Sequence, residues 1–368
     1  MSLVIALLPA AGGYAALDLL GKPVWQRTLD AARGLGATRT LWLRENGKSA
    51  PEGIDTIHPR KLSAPSDTVL LLSAELPCLT PASLKSLLKS ERSFPHALSE
   101  GTGRARALAL RGSDFQAALS GSLAPRLLAP REKDELLLVD TADSWARAVA
   151  VLKSRKVEEL LRAGVRFLDP GSVFVEPGVR VGKGTTIHPW VHLEGTTVVG
   201  RDASIGSFTH IVDSTLGAGT AVLDHCYIRS SRIGRNVSIG PFAHLRPESD
   251  VGDDAKVGNF VELKKTRLEA GAKAPHLSYL GDAVIGKKAN IGAGTITCNY
   301  DGVKKHQTVV GDGAFIGSDV QLVAPVRVGK GAYVAAGSCI VEDVPPHALA
   351  LARSRQVVKP GWARKRRG

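Results

Sequence analysis

The sequence has few cysteines and no cysteine motif. Its four cysteines are Cys78, Cys226, Cys298 and Cys339, and none of them belongs to a CxxC pair. This wide spacing argues against a disulfide framework and against a zinc ribbon.

Aromatic residues and long apolar runs are also scarce. Aromatics make up 5% of the 368 residues, whereas glycine occurs 39 times, which favours a glycine-punctuated β architecture over a helical bundle. The apolar VIALL (4–8) is too short to span a membrane, and no basic segment precedes it as in a signal peptide. We therefore expect a buried first strand and a cytoplasmic protein without membrane insertion.

Acidic residues are outnumbered by basic ones. Lys and Arg number 48 against 35 Asp and Glu, which gives a net charge of +13 and suits anionic partners such as a phosphorylated small molecule. Five basic residues lie in the tail 359–368, which we expect to be a solvated chain end. Because no basic motif is interleaved with aromatics, nucleic acid is not a predicted partner.

The first half, about 1–140, alternates short apolar runs with helical stretches. Strands are predicted at 4–8, at 38–43 and within 67–79, and helices are predicted at 25–36 and 80–90. Thr80 and Pro81 fit the N-cap and the first position of the second helix. The order predicts an α/β domain with a parallel, two-sided sheet. Residues 141–164 predict one long linker helix.

From about 165 to 350 the sequence has a six-residue rhythm, and 351–368 form a basic tail. Glycine follows many of the recurring aliphatic residues, as at Val199, Ile205, Leu216, Ile233, Ile239, Val251, Val257, Ile285, Ile291, Val310, Ile316 and Val328. The pattern predicts a parallel β-helix of triangular section, with aliphatic side chains inside and glycine where a corner needs a positive φ or a crowded backbone. One prism has shallow faces, so we expect a homotrimer with grooves between subunits.

Two stretches depart from the rhythm. Val310 follows Thr297 by 13 positions instead of six, and the surplus predicts a loop within CNYDGVKKHQT (298–308), where function is expected on a rigid scaffold. The other stretch, AKAPHLSYLGD (272–282), carries His276. Its imidazole suits a general base supported by Tyr279 and Asp282, although a purely structural histidine is the ordinary interpretation of a lone one.

Arg246 and the pair Lys264–Lys265 are about one coil apart in the repeat count. Stacked on one face, they would bind a phosphate, whereas a solvated charged face is the alternative interpretation. Zinc held between subunits is a further hypothesis, although the spacing of its candidate ligands is not convincing. Those candidates are His188, His192, His210, His225 and His244.

The second half resembles a known family over about 165–363. The resemblance rests on GPFAHLRP (240–247), VGNFVELKK (257–265), PHLSYLGD (275–282), IGAGTITCNYDGVKK (291–305) and IGSDVQLVAPVRVGKGA (316–332). The family is the bacterial bifunctional N-acetylglucosamine-1-phosphate uridylyltransferase/glucosamine-1-phosphate N-acetyltransferase. The resemblance implies a left-handed β-helix trimer with active sites between subunits. It also implies acetyl transfer from acetyl-CoA to the 2-amino group of glucosamine 1-phosphate, for synthesis of UDP-N-acetylglucosamine, a precursor of cell wall and lipopolysaccharide.

The resemblance also implies a role for each matching residue. His276 would be the general base on the sugar amine. The implied sugar-phosphate site is Arg246, Lys264 and Lys305, the sugar site is Glu262, Tyr279 and Asn290, and the acetyl-CoA site is Ala293, Asn299, Tyr300, Ser318, Ala336 and Arg353. Pro275 departs from the family, which usually has glycine before the histidine.

The first half resembles the family's uridylyltransferase domain in a truncated, Rossmann-like form. The stretch 8–23 keeps Ala10-Ala11-Gly12 and Gly21-Lys22-Pro23 of the nucleotide-binding loop, but it lacks the arginine and the Pro-Lys between them. Glu75 and Asp140 stand at the metal-binding positions and imply a vestigial magnesium site. We expect uridylyl transfer to be lost, because charge stabilisation of the triphosphate is missing, and Mg to be needed only if this domain is active.

Three functions are therefore open from the sequence. The leading one is a monofunctional acetyltransferase with a degenerate nucleotidyltransferase-like domain, and the second is the full bifunctional enzyme. The third is a β-helix zinc hydratase or a non-catalytic scaffold. Another amino sugar phosphate would use the same cations and base, so the acceptor is not fixed.

Overall fold

A computed structural model describes residues 3–8, 14–43, 50–52, 54–57, 68–89, 95–98, 106–120, 122–131 and 134–367. The chain divides into two compact units, Met1–Lys156 and Val157–Gly368. The helix expected over 141–164 is α4 (Ala142–Arg162), which continues across this division. None of the helices in the described ranges is long and apolar enough to cross a bilayer.

The first unit is built on one sheet, whose described strands are β1 (Leu3–Leu8), β2 (Arg39–Leu43), β3 (Asp55–Ile57), β4 (Thr68–Ser73), β5 (His96–Leu98), β6 (Ala107–Arg111) and β7 (Arg126–Leu128). The spatial order is β3-β2-β1-β4-β6-β5-β7. The first four pair in parallel, but β6 runs antiparallel to β4 and β5, so the sheet is mixed rather than wholly parallel.

In the described residues of this unit, the helices before α4 are α1 (Val24–Ala32), α2 (Pro81–Leu88) and α3 (Phe115–Leu119). The interior residues of β1 and β4 are buried, as expected for strands covered on both faces. Helix α2 begins at the predicted cap, where Thr80 Oγ1 accepts a hydrogen bond from Ser83 N at 3.4 Å. This arrangement confirms the Rossmann-like prediction for the first half.

The second unit is a parallel β-helix with three walls. Two long strands, β23 (Lys256–Lys264) and β25 (Lys273–Gly281), bend from the first wall into the second. The other strands of the first wall are β8 (Arg166–Phe167), β11 (Thr186–Ile187), β14 (Ser204–Ile205), β17 (Ala221–Val222), β20 (Ser238–Ile239), β27 (Asn290–Ile291), β30 (Phe315–Ile316), β33 (Tyr333–Val334) and β35 (Leu349–Ala350).

The second and third walls are stacked in the same way. The second wall adds β9 (Phe174–Val175), β12 (His192–Glu194), β15 (His210–Val212), β18 (Tyr227–Arg229), β21 (His244–Leu245), β28 (Ile296–Cys298), β31 (Gln321–Val323) and β34 (Cys339–Ile340). The third wall is β10 (Arg180–Val181), β13 (Val198–Val199), β16 (Thr215–Leu216), β19 (Arg232–Ile233), β22 (Asp250–Val251), β24 (Arg267–Leu268), β26 (Ala283–Ile285), β29 (Thr308–Val310) and β32 (Val326–Val328). The left-handed hexapeptide β-helix expected from the sequence is thereby confirmed.

The six-residue rhythm places aliphatic side chains inside the prism. Residues such as Ile205, Val222 and Ile239 lie at successive turns of one wall and are at most 1% exposed. The glycines that follow them are required by crowding, since a Cβ on Gly217 would lie 2.5 Å from the backbone of Gly234 on the next coil. Two reasons for these glycines were expected, a positive φ and a crowded backbone. Most residues with a positive φ at the corners are not glycine, so crowding explains the glycines.

The coil continues through the stretch that carries His276. Ala274 and Leu280 keep the inward positions and are fully buried, while the bend falls at Leu277, where φ is +30°. The glycine of the repeat is replaced by Pro275 here. Its carbonyl oxygen approaches Gly258 of β23 so closely that a Cβ at Gly258 would meet it at 1.7 Å.

The four cysteines are free thiols. Burial raises the pKa of Cys78 and of Cys226 to about 11, so neither thiol ionises near neutral pH. After β35 the basic tail is largely exposed and ends in α5 (Trp362–Arg367). There the Arg366 guanidinium lies 5.1 Å from the ring centre of Trp362.

Candidate active site

One corner of the prism, between the first and second walls, collects the predicted base and part of the predicted acetyl-CoA site. The register of the first wall aligns the inward residues Val257, Ala274, Ile291, Ile316 and Val334 coil by coil. The residues two positions later therefore form a column along this corner. That column is Asn259, His276, Ala293, Ser318 and Ala336.

His276 is exposed at this corner and is oriented by the residue one coil earlier. Its Nδ1 lies 2.7 Å from Oδ1 of Asn259. An amide oxygen can only accept a hydrogen bond, so Nδ1 carries the proton and Nε2 keeps a free lone pair facing outward. The imidazole is thus held in the tautomer that a general base requires.

A groove of about 470 Å³ runs along the first wall from His276. Its floor is formed by the small residues Ala293, Ser318 and Ala336, and Asn290 lies at the end near the histidine. Arg353 joins this region, because its Nη1 donates to the carbonyl oxygen of Ala336 at 2.9 Å. The structure thus brings five predicted residues together beside His276.

A second cluster lies at the opposite edge of the second wall. Nη1 of Arg246 donates to Oε1 of Glu262 at 2.8 Å, and this hydrogen bond raises the pKa of Arg246 above its usual value. Nζ of Lys264 lies 3.4 Å from Oδ2 of Asp282, which is largely buried. We call Arg246, Lys264 and Lys305, with their two carboxylate partners, the cation cluster.

Lys305 brings a third positive charge to this edge from the loop after β28. Its contact with Lys264, and the charge of that ammonium, lower the pKa of Lys305. The same contact, together with Asp282, raises the pKa of Lys264. Two ammonium groups placed side by side repel each other unless an anion lies between them, so the cluster fits a phosphate.

Tyr279 and Asn299 complete the surroundings of the cluster. A Cβ on Gly281 would meet the Tyr279 hydroxyl at 2.5 Å and the Asn299 amide nitrogen at 2.6 Å, so both side chains lie against that glycine. Asn299 is 7% exposed, and its Nδ2 donates to Oδ2 of Asp282 at 2.6 Å. The Asn299 side chain, which was expected to contact acetyl-CoA, therefore binds Asp282, the ion-pair partner of Lys264.

The loop predicted within 298–308 is present and is organised around Asp301. Its carboxylate accepts hydrogen bonds from the backbone of Lys304 and Val303 and lies 2.6 Å from Nε2 of His306. The backbone hydrogen bond of Lys304 and the contact with His306 lower the pKa of Asp301 to about 2. The turn stays charged and closed at neutral pH and presents Lys305, while the exposed Tyr300 donates to the carbonyl oxygen of Gly302 at 2.6 Å.

The base and the cation cluster lie at the two ends of the same stretch of wall. In the pairing of β23 with β25, His276 is opposite Asn259 and Gly281 is opposite Lys264. Five residues of extended chain separate these two pairs, at most about 18 Å. The two features thus lie at the two ends of one stretch of chain.

Two expectations about supporting residues are wrong in the structure. Asp282 does not support His276, because it binds Lys264 and Asn299; Asn259 takes that place. Lys265 does not join Lys264, because its φ of +49° at the corner turns it away. Lys265 instead lines a polar groove of about 580 Å³ along the third wall.

The proposed metal pair of the first unit is only partly assembled. The Val139 amide donates to the carbonyl oxygen of Glu75 at 3.0 Å, which brings the segment before Asp140 beside Glu75. The Glu75 side chain is buried and accepts from Ser73 Oγ at 3.2 Å, whereas Asp140 is exposed. Two carboxylates are ligands of the kind that Mg²⁺ accepts. Within the part of the chain that the structure describes, no group of three or more His, Cys, Asp or Glu could hold a metal ion.

The remains of the nucleotide-binding loop give no free cation. Ala10, Ala11 and Gly12 lie outside the described residues. Lys22 forms an ion pair with Asp30 at 2.6 Å. Lys22, the one basic residue of the stretch 8–23, is thus paired within the unit.

Sequence reasoning missed several residues of the site. Asn259 lies inside the motif VGNFVELKK (257–265), and counting one coil back from His276 finds it. Phe315, Tyr333 and Leu349 form a side of the groove, with the two rings 5.3 Å apart. Their signal is also the six-residue count, which places them outward on the first wall, directly before the inward residues.

The same corner carries a row of exposed rings towards the N-terminus. We call this row the aromatic ridge: Trp190, Phe208, His225, Phe242 and Phe260. Successive ring centres are 4.9 to 6.3 Å apart, with planes within 7° of parallel. Each member has a positive φ, which turns its side chain out of the coil, and about half of each Trp or Phe side chain is exposed.

The comparisons with known proteins first define the class. Residues 170–267 match the model of the GMPPB C-terminal domain, and 307–341 match the bacterial transferase hexapeptide repeat. A UDP-N-acetylglucosamine acyltransferase of Francisella novicida has 18% identity and a TM-score of 0.33, over 49% of this chain and 65% of that one. The second unit is a hexapeptide-repeat domain of the bacterial transferase type.

The particular family follows from sequence relatives. The bifunctional protein GlmU of Koribacter versatilis is 49% identical over 253 residues, which are 68% of this chain and 54% of the relative. That of Thermotoga petrophila is 52% identical, over 63% of this chain and 52% of the relative. The chain is a homologue of the bifunctional GlmU proteins, as the motifs indicated, and it spans about half the length of the curated relatives it matches.

Proposed function

We propose that this protein transfers the acetyl group of acetyl-CoA to the 2-amino group of glucosamine 1-phosphate, in the synthesis of UDP-N-acetylglucosamine. The observation that carries the proposal is the contact of His276 with Asn259 at the end of the groove, on the wall that also bears the cation cluster. The sequence identity with the GlmU relatives supports the assignment to the acyltransferases.

The chemistry requires a base that is neutral near pH 7. Nε2 of His276 takes a proton from the sugar amine while the amine nitrogen attacks the thioester carbonyl carbon. The tetrahedral intermediate collapses by breaking the carbon–sulfur bond, and the imidazolium returns its proton to the CoA thiolate. The products are N-acetylglucosamine 1-phosphate and CoA. The step needs no covalent enzyme intermediate.

The remaining residues bind the two substrates. Arg246, Lys264 and Lys305 hold the sugar phosphate by charge-assisted hydrogen bonds. Glu262, Tyr279 and Asn290 position the sugar, and Ala293, Ser318, Ala336 and Arg353 line the acetyl-CoA groove. Asn299 acts indirectly through Asp282, and Tyr300 lies in the loop that delivers Lys305.

We propose a homotrimer as the active form. The groove that runs along the first wall from His276 supports this, because a shallow groove on one prism becomes deep where a neighbouring chain packs beside it. The aromatic ridge supports it as well, since a contiguous exposed apolar row is typical of an interaction surface. A second copy of the chain is the occupant we propose for the ridge.

We further propose that the first unit has lost uridylyl transfer. The ion pair of Lys22 with Asp30 and the burial of the Glu75 side chain support this, because neither side chain is free to hold a magnesium triphosphate. Isothermal titration with UTP and Mg²⁺ tests the proposal, and we expect no binding in the micromolar range. Metal-dependent micromolar binding would restore the bifunctional alternative.

A thiol-release assay tests the acetyl transfer. We expect acetyl-CoA turnover with glucosamine 1-phosphate, and a loss of about 100-fold or more in kcat for His276→Ala. His188→Ala serves as the matched control, because this histidine lies outside the groove. Near-normal turnover of His276→Ala with intact folding contradicts the assignment, and a series of amino sugar phosphates identifies the preferred acceptor.

A further inference from the structure

The cation cluster continues one coil beyond its predicted members. In the second wall, Ile228 is opposite Leu245 and Leu245 is opposite Leu263. These three residues point inward and are fully buried. The residues that follow them, Arg229, Arg246 and Lys264, therefore point outward at the same position of three successive coils, about 4.8 Å apart.

Arg229 differs from the other two in its partners. Arg246 has Glu262 and Lys264 has Asp282, whereas no carboxylate of the described residues forms an ion pair with the exposed Arg229. Its outward neighbours on the same wall, Tyr227 and His244, are not acidic. The guanidinium is thus the member of the column without an internal counter-charge.

The column is longer than one phosphate requires. Arg246, Lys264 and Lys305 are the three cations of the proposed site for a single phosphate, and two carboxylates partly offset their charges. A guanidinium one coil away reaches a second phosphoryl group joined to the first through a bridging oxygen. Arginine suits this task because its planar donors match phosphate oxygens in pairs.

We propose that Arg229 extends the phosphate site into a diphosphate site. The ligand class is a phosphoryl group bearing a second phosphate, supplied by a nucleoside diphosphate or by inorganic pyrophosphate. This inference rests on the proposed phosphate site of the acetyltransferase. It deepens that site by predicting that diphosphates compete with the sugar phosphate at the second wall.

Binding of inorganic phosphate, inorganic pyrophosphate and uridine diphosphate to the full chain tests the proposal by isothermal titration at one fixed, low ionic strength. We expect pyrophosphate to bind the wild-type protein about tenfold more tightly than phosphate, since one added charge-assisted hydrogen-bond pair supplies that factor. Arg229→Gln should remove this preference and leave phosphate affinity within about twofold. Arg232→Gln is the matched control, because Arg232 faces the third wall and has Asp250 as its partner.

The outcomes separate this proposal from the proposed function. Equal affinities of the wild-type protein for phosphate and pyrophosphate, or a preference that survives in Arg229→Gln, overturn the diphosphate site. A rise in the KM of acetyl-CoA in Arg229→Gln without loss of pyrophosphate binding overturns it too, by placing Arg229 at the CoA phosphates. An Arg229-dependent preference in a protein that does not acetylate glucosamine 1-phosphate supports the site while refuting the acetyltransferase. If uridine diphosphate binds as tightly as pyrophosphate, the ligand is a nucleoside diphosphate. If it does not, the ligand is inorganic pyrophosphate.

Discussion

A histidine on an exposed corner can carry its proton on either ring nitrogen, and Asn259 selects between the two. The 2.7 Å contact ties Nδ1 to an oxygen that can only accept. In the mechanism that we propose, Nε2 is thereby free at every turnover without waiting for the ring to change tautomer. Asn259 contacts His276 and no substrate in that mechanism, so we regard it as a positioning residue.

Replacement of Asn259 should affect the rate rather than the binding of acetyl-CoA. We expect Asn259→Ala to lower kcat by about tenfold or more with little change in the KM of acetyl-CoA, because the ring loses its fixed tautomer. Asn259→Asp should restore most of kcat, because a carboxylate oxygen also accepts the hydrogen bond from Nδ1.

Rescue by aspartate distinguishes positioning from general structural support. A purely structural role for Asn259 would give two variants with equal losses in kcat. Thermal unfolding of both variants, compared with the wild-type protein, checks that the corner remains folded. An unchanged kcat in Asn259→Ala would remove Asn259 from the mechanism.

Lys305 should lose its proton more readily than an ordinary lysine. The neighbouring Lys264 lowers its pKa, so we expect phosphate affinity to fall as pH rises, beginning below the pH at which free lysine titrates. NMR titration of the Lys305 side chain measures this pKa directly. Lys264→Met should move the titration midpoint of Lys305 to higher pH, and saturating phosphate should do the same in the wild-type protein. A midpoint that neither change affects would contradict the cation cluster.

At the scale of the elements, the two nine-residue strands depend on one close approach. β23 and β25 pair along their whole length, and the carbonyl oxygen of Pro275 occupies the space that a side chain at position 258 would need. Pro275 replaces the glycine of the repeat, so the accommodation is made by Gly258 on the preceding coil. This contact fixes the height of His276 above Asn259.

Gly258→Ala should therefore damage both stability and catalysis. A Cβ that meets the Pro275 carbonyl oxygen at 1.7 Å must push the coils apart, and overpacking of this kind costs about 3 kcal/mol of unfolding free energy. We expect a lower unfolding temperature and a lower kcat. Gly171→Ala is the control, since its nearest neighbour lies at 3.4 Å and its φ is not positive; a Gly258→Ala protein as stable as this control would show that the coils can separate freely.

The sequence predicted well which residues of these strands point into the prism. It predicted unevenly what the outward-pointing residues contact. Counting by six identifies Ile205, Ile239 and Leu263, because an inward position admits only buried apolar side chains. It does not reveal that Lys264 and Lys265 diverge, since this depends on the backbone φ at the corner. Nor does it reveal that Asn299 binds Asp282, because the count places the two residues one coil apart without showing which polar side chains join.

At the scale of the whole molecule, the aromatic ridge is a large apolar feature without a cover in a single chain. Its rings stack along the prism axis, so each presents an edge to the outside rather than a face. A sugar stacks on a ring face, which this arrangement withholds, whereas packed side chains of another protein surface accept ring edges. The ridge ends beside His276, so the subunit contact that we propose would lie next to the proposed active site.

A charge in the middle of the ridge should therefore separate the subunits without unfolding the chain. Phe242 has a φ of +56°, and aspartate is among the few residues that adopt this region at low cost. We expect the wild-type protein to have the mass of three 38.8 kDa chains in light scattering after size exclusion, and Phe242→Asp to shift towards one chain and lose acetyl transfer. Lys288→Asp is the matched control, because it also has a positive φ and is exposed but lies away from the ridge. If Phe242→Asp stays trimeric and active, the ridge is not the subunit contact, and the base and the cation cluster must be joined through another face of the prism.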